Sequence, residues 1–264
     1  MIPLDEILDR LWQDYARLTP QARTVHDLLR SRGERIINDH VAFRTYDDAR
    51  TGIDRLAAPF VEHGYGPGAE YAFPEKKLTA RYYSHPDATR PKIFISELQL
   101  SALSRQFQSL AVGLIDQVSA DLRRPDLCLS GRLWKVSYAQ YEVLRAESEY
   151  GAWVAAFGFR ANHFTVSVNA LQSFDSLDAL NRFLQRHGLR FNAIGGEIKG
   201  SPAVLLEQSS TLADETAVEF SDGTHTVPGC YYEFAKRYPT ANGSLYEGFV
   251  PASADKIFES TYRR

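Results

Sequence analysis

The pattern of apolar and polar positions repeats once along this chain. Asp39-His40-Val41-Ala42-Phe43-Arg44-Thr45 opens with a polar residue and a histidine, then runs on in apolar and β-branched residues. Asn162-His163-Phe164-Thr165-Val166-Ser167-Val168 does the same. Both stretches predict short strands. After each comes an apolar stripe at helical spacing: Ile53, Leu56, Phe60 and Val61 within residues 53–63, then Leu177, Leu180, Phe183 and Leu184 within residues 177–187. Both stripes end in His-Gly, at His63-Gly64 and His187-Gly188. Glycine takes the left-handed cap, and an imidazole suits the dipole of a helix C-terminus, so a structural role is expected for both histidines.

Shorter extended pieces follow each helix. The first copy has them at residues 77–83 and 91–98, the second at 203–207, 217–220 and 231–234. Each copy closes on a strand carrying a glutamate, Ser96-Glu97-Leu98 and Tyr232-Glu233-Phe234. The spacing between equivalent residues is nearly constant through strand and helix. It grows towards the glutamates, as longer hairpins in the second copy would make it. The expected fold class is α+β, with paired βαβββ modules in one curved sheet or barrel and added helices before and between them. The chain reads as a single domain, 1–264: N-terminal helices in 1–35, the first module in 36–100, a mainly helical connector in 101–150, and the second module with a C-terminal tail in 151–264. The first helix is amphipathic, setting Ile7, Leu8, Leu11 and Trp12 against Asp5, Glu6, Asp9 and Arg10. In the connector, 103–122 predicts helix and 133–144 an extended segment.

Composition narrows the function classes. The 264 residues are 44% hydrophobic and 24% charged, with a formal net charge of -3. There is no basic run to neutralise phosphates, which argues against nucleic acid. No stretch approaches the roughly 20 apolar residues of a membrane span, and no basic amphipathic segment suits a membrane surface. Cys128 and Cys230 form neither a disulfide framework nor a CxxC pair, so a reducing cytoplasm is the expected location. Gly64-Tyr65-Gly66-Pro67-Gly68 superficially suggests a phosphate loop, but it follows a helix and carries a proline.

The repeat itself points to chemistry. Alternate strand residues share a face, so His40, Ala42 and Arg44 point one way, and His163, Thr165 and Ser167 likewise. If the modules pair about a pseudo-twofold axis, the histidine of each first strand and the glutamate of each last strand surround one point. His40, His163 and Glu233 then form a 2-His-1-carboxylate facial triad, which suits non-haem Fe(II) and leaves positions for a bidentate substrate and dioxygen. Zn, Ni or Mn would bind the same donors as surrogates in a purified sample. Glu97 is either a fourth ligand, which would favour Lewis-acid chemistry, or a partner that orients a ligand histidine. Arg44 lies roughly 13 Å along the strand from His40, and its planar fork suits a substrate carboxylate.

The chain resembles the 2-oxoadipate dioxygenase/decarboxylase family, which yields D-2-hydroxyglutarate. The similarity is carried by Asp39 to Thr45, Lys92-Ile93-Phe94-Ile95-Ser96-Glu97-Leu98, Glu207-Gln208-Ser209-Ser210-Thr211, Pro228-Gly229-Cys230-Tyr231-Tyr232-Glu233-Phe234-Ala235-Lys236-Arg237, Gly248-Phe249-Val250 and Ser253-Ala254-Asp255-Lys256-Ile257-Phe258-Glu259-Ser260-Thr261. It implies a vicinal-oxygen-chelate fold, iron on His40, His163 and Glu233, and a substrate carboxylate on Arg44. It also implies decarboxylation of a bidentate 2-oxo acid with dioxygen and hydroxylation of the shortened acid. Gln208 and Ser210 lie in a similar block and are candidates for the substrate pocket, against a bland role in strand hydrogen bonding. Tyr231 shares a face with Glu233 and reads as core packing. Two other function classes stand beside this one. A glyoxalase-like metal-dependent isomerase or lyase would use four ligands, Glu97 included. A small-molecule sequestering protein would need no interior ligands.

Overall fold

The computed structural model describes residues 2–119 and 124–262. Helices α1 (Leu4–Leu18) and α2 (Pro20–Ser31) precede the first module, which comprises β1 (Asn38–Tyr46), α3 (Ile53–Val61), β2 (Gly66–Phe73), β3 (Leu78–Ser84) and β4 (Lys92–Leu98). The connector carries α4 (Arg105–Ile115), α5 (Tyr138–Glu147) and α6 (Glu149–Phe157). The second module comprises β5 (Ala161–Ser167), α7 (Leu177–Arg186), β6 (Lys199–Ser201), β7 (Leu206–Ser210), a hairpin of β8 (Glu215–Phe220) and β9 (Gly223–Pro228), and β10 (Glu233–Arg237). Helix α8 (Pro251–Phe258) and a 3-10 turn at Glu259–Thr261 follow.

Eight strands form one curled sheet in the order β2-β3-β4-β1-β5-β10-β7-β6. The two halves mirror each other. In each module the first and last strands are parallel neighbours, β1 with β4 and β5 with β10. The modules join through the antiparallel pair β1 and β5. This is the paired-module arrangement the repeat predicts. Strand β1 is buried from His40 to Tyr46 because layers cover both its faces, so polar His40, Arg44 and Thr45 are enclosed along with apolar Val41, Ala42, Phe43 and Tyr46. Helix α6 is buried at every position from Tyr150 to Phe157 and is correspondingly apolar all round. Helix α8 packs on β2 of one module and on β6 and β7 of the other, so it straps the two ends of the sheet. No helix among the described residues is long and apolar enough to cross a membrane.

The capping histidines behave alike. His63 Nδ1 lies 2.6 Å from the Pro59 carbonyl and His187 Nδ1 2.8 Å from that of Phe183, and the following Gly64 and Gly188 have φ of 90° and 89°. Five expectations need correction. Residues 138–147, expected to be extended in part, form α5, because Ser137 and Gln140 build a reciprocal capping box. The helix expected over 103–122 is observed at Arg105–Ile115, and residues 120–122 lie outside the described set. The connector continues through α6 to Phe157, past the expected boundary at residue 150. Residues 202–204 form a 3-10 turn, and the strand begins at Leu206. Residues 217–220 are extended as expected and belong to the separate β8–β9 hairpin, which accounts for the greater length of the second copy. Strand β2 was not expected, because its glycines and proline read as loop.

Candidate metal centre

The central strand pair brings the two histidines together. Ala42 stands opposite His163, and His40 opposite Thr165. Glu233 begins β10, also opposite Thr165. His40 Nε2 lies 3.4 Å from His163 Nε2 and 3.6 Å from Glu233 Oε1, while His163 Nε2 lies 3.2 Å from Glu233 Oε2. Each residue offers one ligand atom, and these atoms all fall within 4.8 Å of one another. Ligands at right angles on bonds of about 2.1 Å are about 3.0 Å apart, so a small contraction would seat a cation here. The residues are only 2%, 4% and 1% exposed, for His40, His163 and Glu233.

The electrostatics fit the same purpose. Burying a carboxylate beside two imidazoles is costly unless a cation joins them. Burial pushes the Glu233 carboxyl above its usual range, with opposition from His40 and Gln208. Burial, with help from His40 and Arg44, holds His163 well below the usual imidazole range. His163 is therefore in the neutral form that ligates.

Neighbouring side chains aim the ligand atoms. Asp39 Oδ1 lies 2.8 Å from His40 Nδ1, and Asn162 Oδ1 lies 3.1 Å from His163 Nδ1. Each histidine thus uses its Nδ1 on the residue before it and turns Nε2 towards the centre, an arrangement that fixes tautomer and ring orientation. Burial raises the Asp39 carboxyl, but the Arg237 guanidinium and the His40 hydrogen bond outweigh this and hold it far below the carboxylate range. Gln208 Nε2 donates to Glu233 Oε1 at 2.6 Å. Asp39, Asn162 and Arg237 were not identified from the sequence in these roles. The signal was present, because an Asx residue precedes the histidine in both copies.

Arg44 is 1% exposed and has no ion pair among the described residues. Its guanidinium donates to Thr261 Oγ1 at 3.0 Å and to the Phe258 carbonyl at 3.3 Å, and its Nε has no partner. The rings of Tyr150, Trp153 and Phe258 surround it at 5.0, 5.3 and 5.7 Å. Ser210 is placed on the same strand as Gln208, and its hydroxyl pairs with Ser260 at 2.8 Å. It ties β7 to the turn after α8.

Glu97 does not reach the centre. Its Oε2 accepts the Ile53 N–H at 3.0 Å and its Oε1 the Thr79 hydroxyl at 3.3 Å, so it caps the start of α3. The register explains the miss. Ala42 pairs with Phe94 in the first module as Thr165 pairs with Glu233 in the second. Phe94 is therefore the symmetric counterpart of Glu233. Glu97, three residues further on, points to the opposite face. The Phe94 ring packs on Phe249 at 4.7 Å, and Phe249 meets the His40 ring edge-on at 4.9 Å. An aromatic wall stands where a fourth ligand was considered.

Comparison with known proteins places the chain in a family. Residues 5–244 match the family model described as 2-oxoadipate dioxygenase/decarboxylase. The chain is 38% identical to the chloroplastic/amyloplastic 2-oxoadipate dioxygenase/decarboxylase of Oryza sativa subsp. japonica, over 97% of this chain and 78% of that protein. The crystal structure of a hydroxyglutarate synthase from Oryza sativa, in complex with 2-oxoadipate, matches with a TM-score of 0.90 at 36% identity, covering 97% of this chain and 91% of that one. A crystal structure from Shewanella frigidimarina, described as a candidate hydrolase, matches with a TM-score of 0.90 at 48% identity, covering 96% and 99%. On matches of this length and level, the chain belongs to the 2-oxoadipate dioxygenase/decarboxylase family.

Proposed function

We propose that this protein is an Fe(II)-dependent dioxygenase/decarboxylase acting on a small 2-oxo dicarboxylic acid, with 2-oxoadipate to 2-hydroxyglutarate as the pattern. The observation that carries this reading is a buried arginine without an anion, on the same strand as a buried ligand histidine. His40, His163 and Glu233 would hold the metal, and a set of only three protein donors suits an ion that also takes a chelating 2-oxo acid and dioxygen. Iron, when bound, supplies the one-electron chemistry by which dioxygen reacts with a chelated acid. Arg44 takes the carboxylate far from the metal, in a fork that suits two oxygens. The rings around it hold the charge in place without neutralising it. No residue need act as an initial base, because the acid arrives ionised. Phe94 and Phe249 keep water from the side of His40.

The four-ligand isomerase reading required Glu97 at the metal, and Glu97 caps α3 instead. The sequestering reading has no use for three buried ionisable groups within ligand distance. The test is dioxygen uptake by anaerobically reconstituted Fe(II) protein across a panel of 2-oxo acids that includes 2-oxoadipate. Uptake matched by carbon dioxide release is expected. Turnover that proceeds equally without air would return the isomerase.

A further inference from the structure

Tyr231 sits next to this centre with its hydroxyl unused. It is fully buried, its ring stacks on His163 at a centroid distance of 4.6 Å and an interplanar angle of 27°, and its carbonyl is held by the Tyr15 hydroxyl at 2.5 Å. Backbone and ring are both fixed, yet no described residue accepts the phenolic proton. An unpaired buried hydroxyl costs roughly 1–3 kcal/mol, so a site that keeps one has a use for it or fills it with solvent. The polar group beside this phenol is the Arg44 guanidinium. A guanidinium has no acceptor, however, so the phenolic proton has nowhere to go within the protein.

The side chain of Arg44 shows the complementary gap, because its Nε–H is without a partner. The phenolic oxygen can accept from this guanidinium, but no described residue accepts the phenolic proton, and the guanidinium has no anion. A carboxylate is the simplest group that satisfies both, one oxygen to each. We propose that Tyr231 donates its hydroxyl to the carboxylate remote from the metal, beside Arg44, and so makes the site select dicarboxylic over monocarboxylic 2-oxo acids. This rests on the functional reading above and extends it to a specificity-determining residue. Tyr231 read as core packing in the sequence, because alternation places it on the inner face without showing that its hydroxyl lacks a partner. The ring also has a second duty, since its stacking fixes the plane of His163. A phenylalanine would keep that duty and lose only the donor.

The test compares wild type with Tyr231→Phe, each loaded with Zn so that no turnover occurs. Calorimetric binding of 2-oxoadipate is set against that of 2-oxohexanoate, which lacks the second carboxylate. Wild type should prefer the diacid. Tyr231→Phe should lose about tenfold or more in affinity for the diacid, as expected for one hydrogen bond to a charged group. It should keep its affinity for the monoacid, an outcome that a merely structural role would not produce. Equal losses for both acids, or an undiminished preference for the diacid, would overturn the role of Tyr231 and leave the functional reading standing. Wild type showing no preference for the diacid would overturn both.

Discussion

Arg237 donates to both carboxylate oxygens of Asp39, at 2.7 Å from Nε and 2.8 Å from Nη2. The pair spans the modules, since Asp39 lies on β1 and Arg237 on β10. It also reaches the metal centre, because the same carboxylate holds His40 Nδ1. Asn162 fills the equivalent position beside His163 without a charge. The two ligand histidines are thus unequal, one backed by a carboxylate and the other by an amide.

Asp39→Asn should expose that inequality. The substitution leaves Arg237 as an unpaired cation that is 4% exposed, a defect that costs about 3–5 kcal/mol. Metal affinity should fall about 10- to 100-fold, as is usual when a ligand histidine loses its support. Asn162→Ala should weaken metal binding in the same direction with a much smaller loss of stability. Chelator competition and thermal unfolding of both variants check this. Equal losses of stability in the two would contradict the asymmetry.

Arg44→Ala should abolish turnover of a dicarboxylic 2-oxo acid while leaving metal stoichiometry intact. Arg44→Lys should recover little, because an ammonium cannot reproduce the planar fork or its stacking on Tyr150 and Trp153. The measurement is kcat/KM beside metal content. Unchanged turnover in Arg44→Ala would remove this residue from the site.

Glu97→Ala should leave bound metal unchanged and cost about 1 kcal/mol through the lost cap on α3. For a chain of this size that is a fall in Tm of roughly 2–4 °C. Loss of metal from this variant would reinstate Glu97 as a ligand.

His26 gives the pH dependence. Burial lowers its pKa from 6.5 to about 4, with Arg30 assisting. The folded imidazole resists protonation more than the unfolded one does. Stability is therefore unaffected by His26 above about pH 6.5 and falls as pH drops from 6.5 towards 4. Partial exposure reduces the effect to about 1–2 kcal/mol. Denaturant midpoints for wild type and His26→Gln at pH 7 and pH 4.5 test it. The variant should lose less stability than wild type between those values, and parallel losses would rule His26 out.

Much of this was legible in the chain because the repeat is legible. His40 and His163 head equivalent strands, and His63 and His187 end equivalent helices, so local pattern alone aligned the modules. Alignment failed where local pattern could not carry register. Glu97 was matched to Glu233 as the acidic residue of a last strand, but strand pairing sets the counterpart at Phe94, three residues away and on the other face. Helix α5 falls in a segment expected to be extended, and the local signal for it is the capping box at Ser137 and Gln140. Strand β2 was missed because Gly68 looked like loop. Its missing side chain is what lets β2 pass the Tyr82 ring. The surroundings of Arg44 come from β1, α6 and the C-terminal turn together, and no local pattern joins these.

Phe94 carries one further consequence. A duplicated scaffold could have offered two matching halves to the cation, and here one half supplies a carboxylate while the other supplies a hydrocarbon surface backed by Phe249. The surroundings of the three donors are therefore one-sided: the Glu233 side carries Gln208 as a hydrogen-bond donor, and the Phe94 side carries only aromatic carbon. On the reading proposed above, a charged acid would be expected on the polar side, because the aromatic side offers a carboxylate no hydrogen bond. The broken symmetry of the repeat thus gives an otherwise matched scaffold a wet face and a dry one around the same three residues.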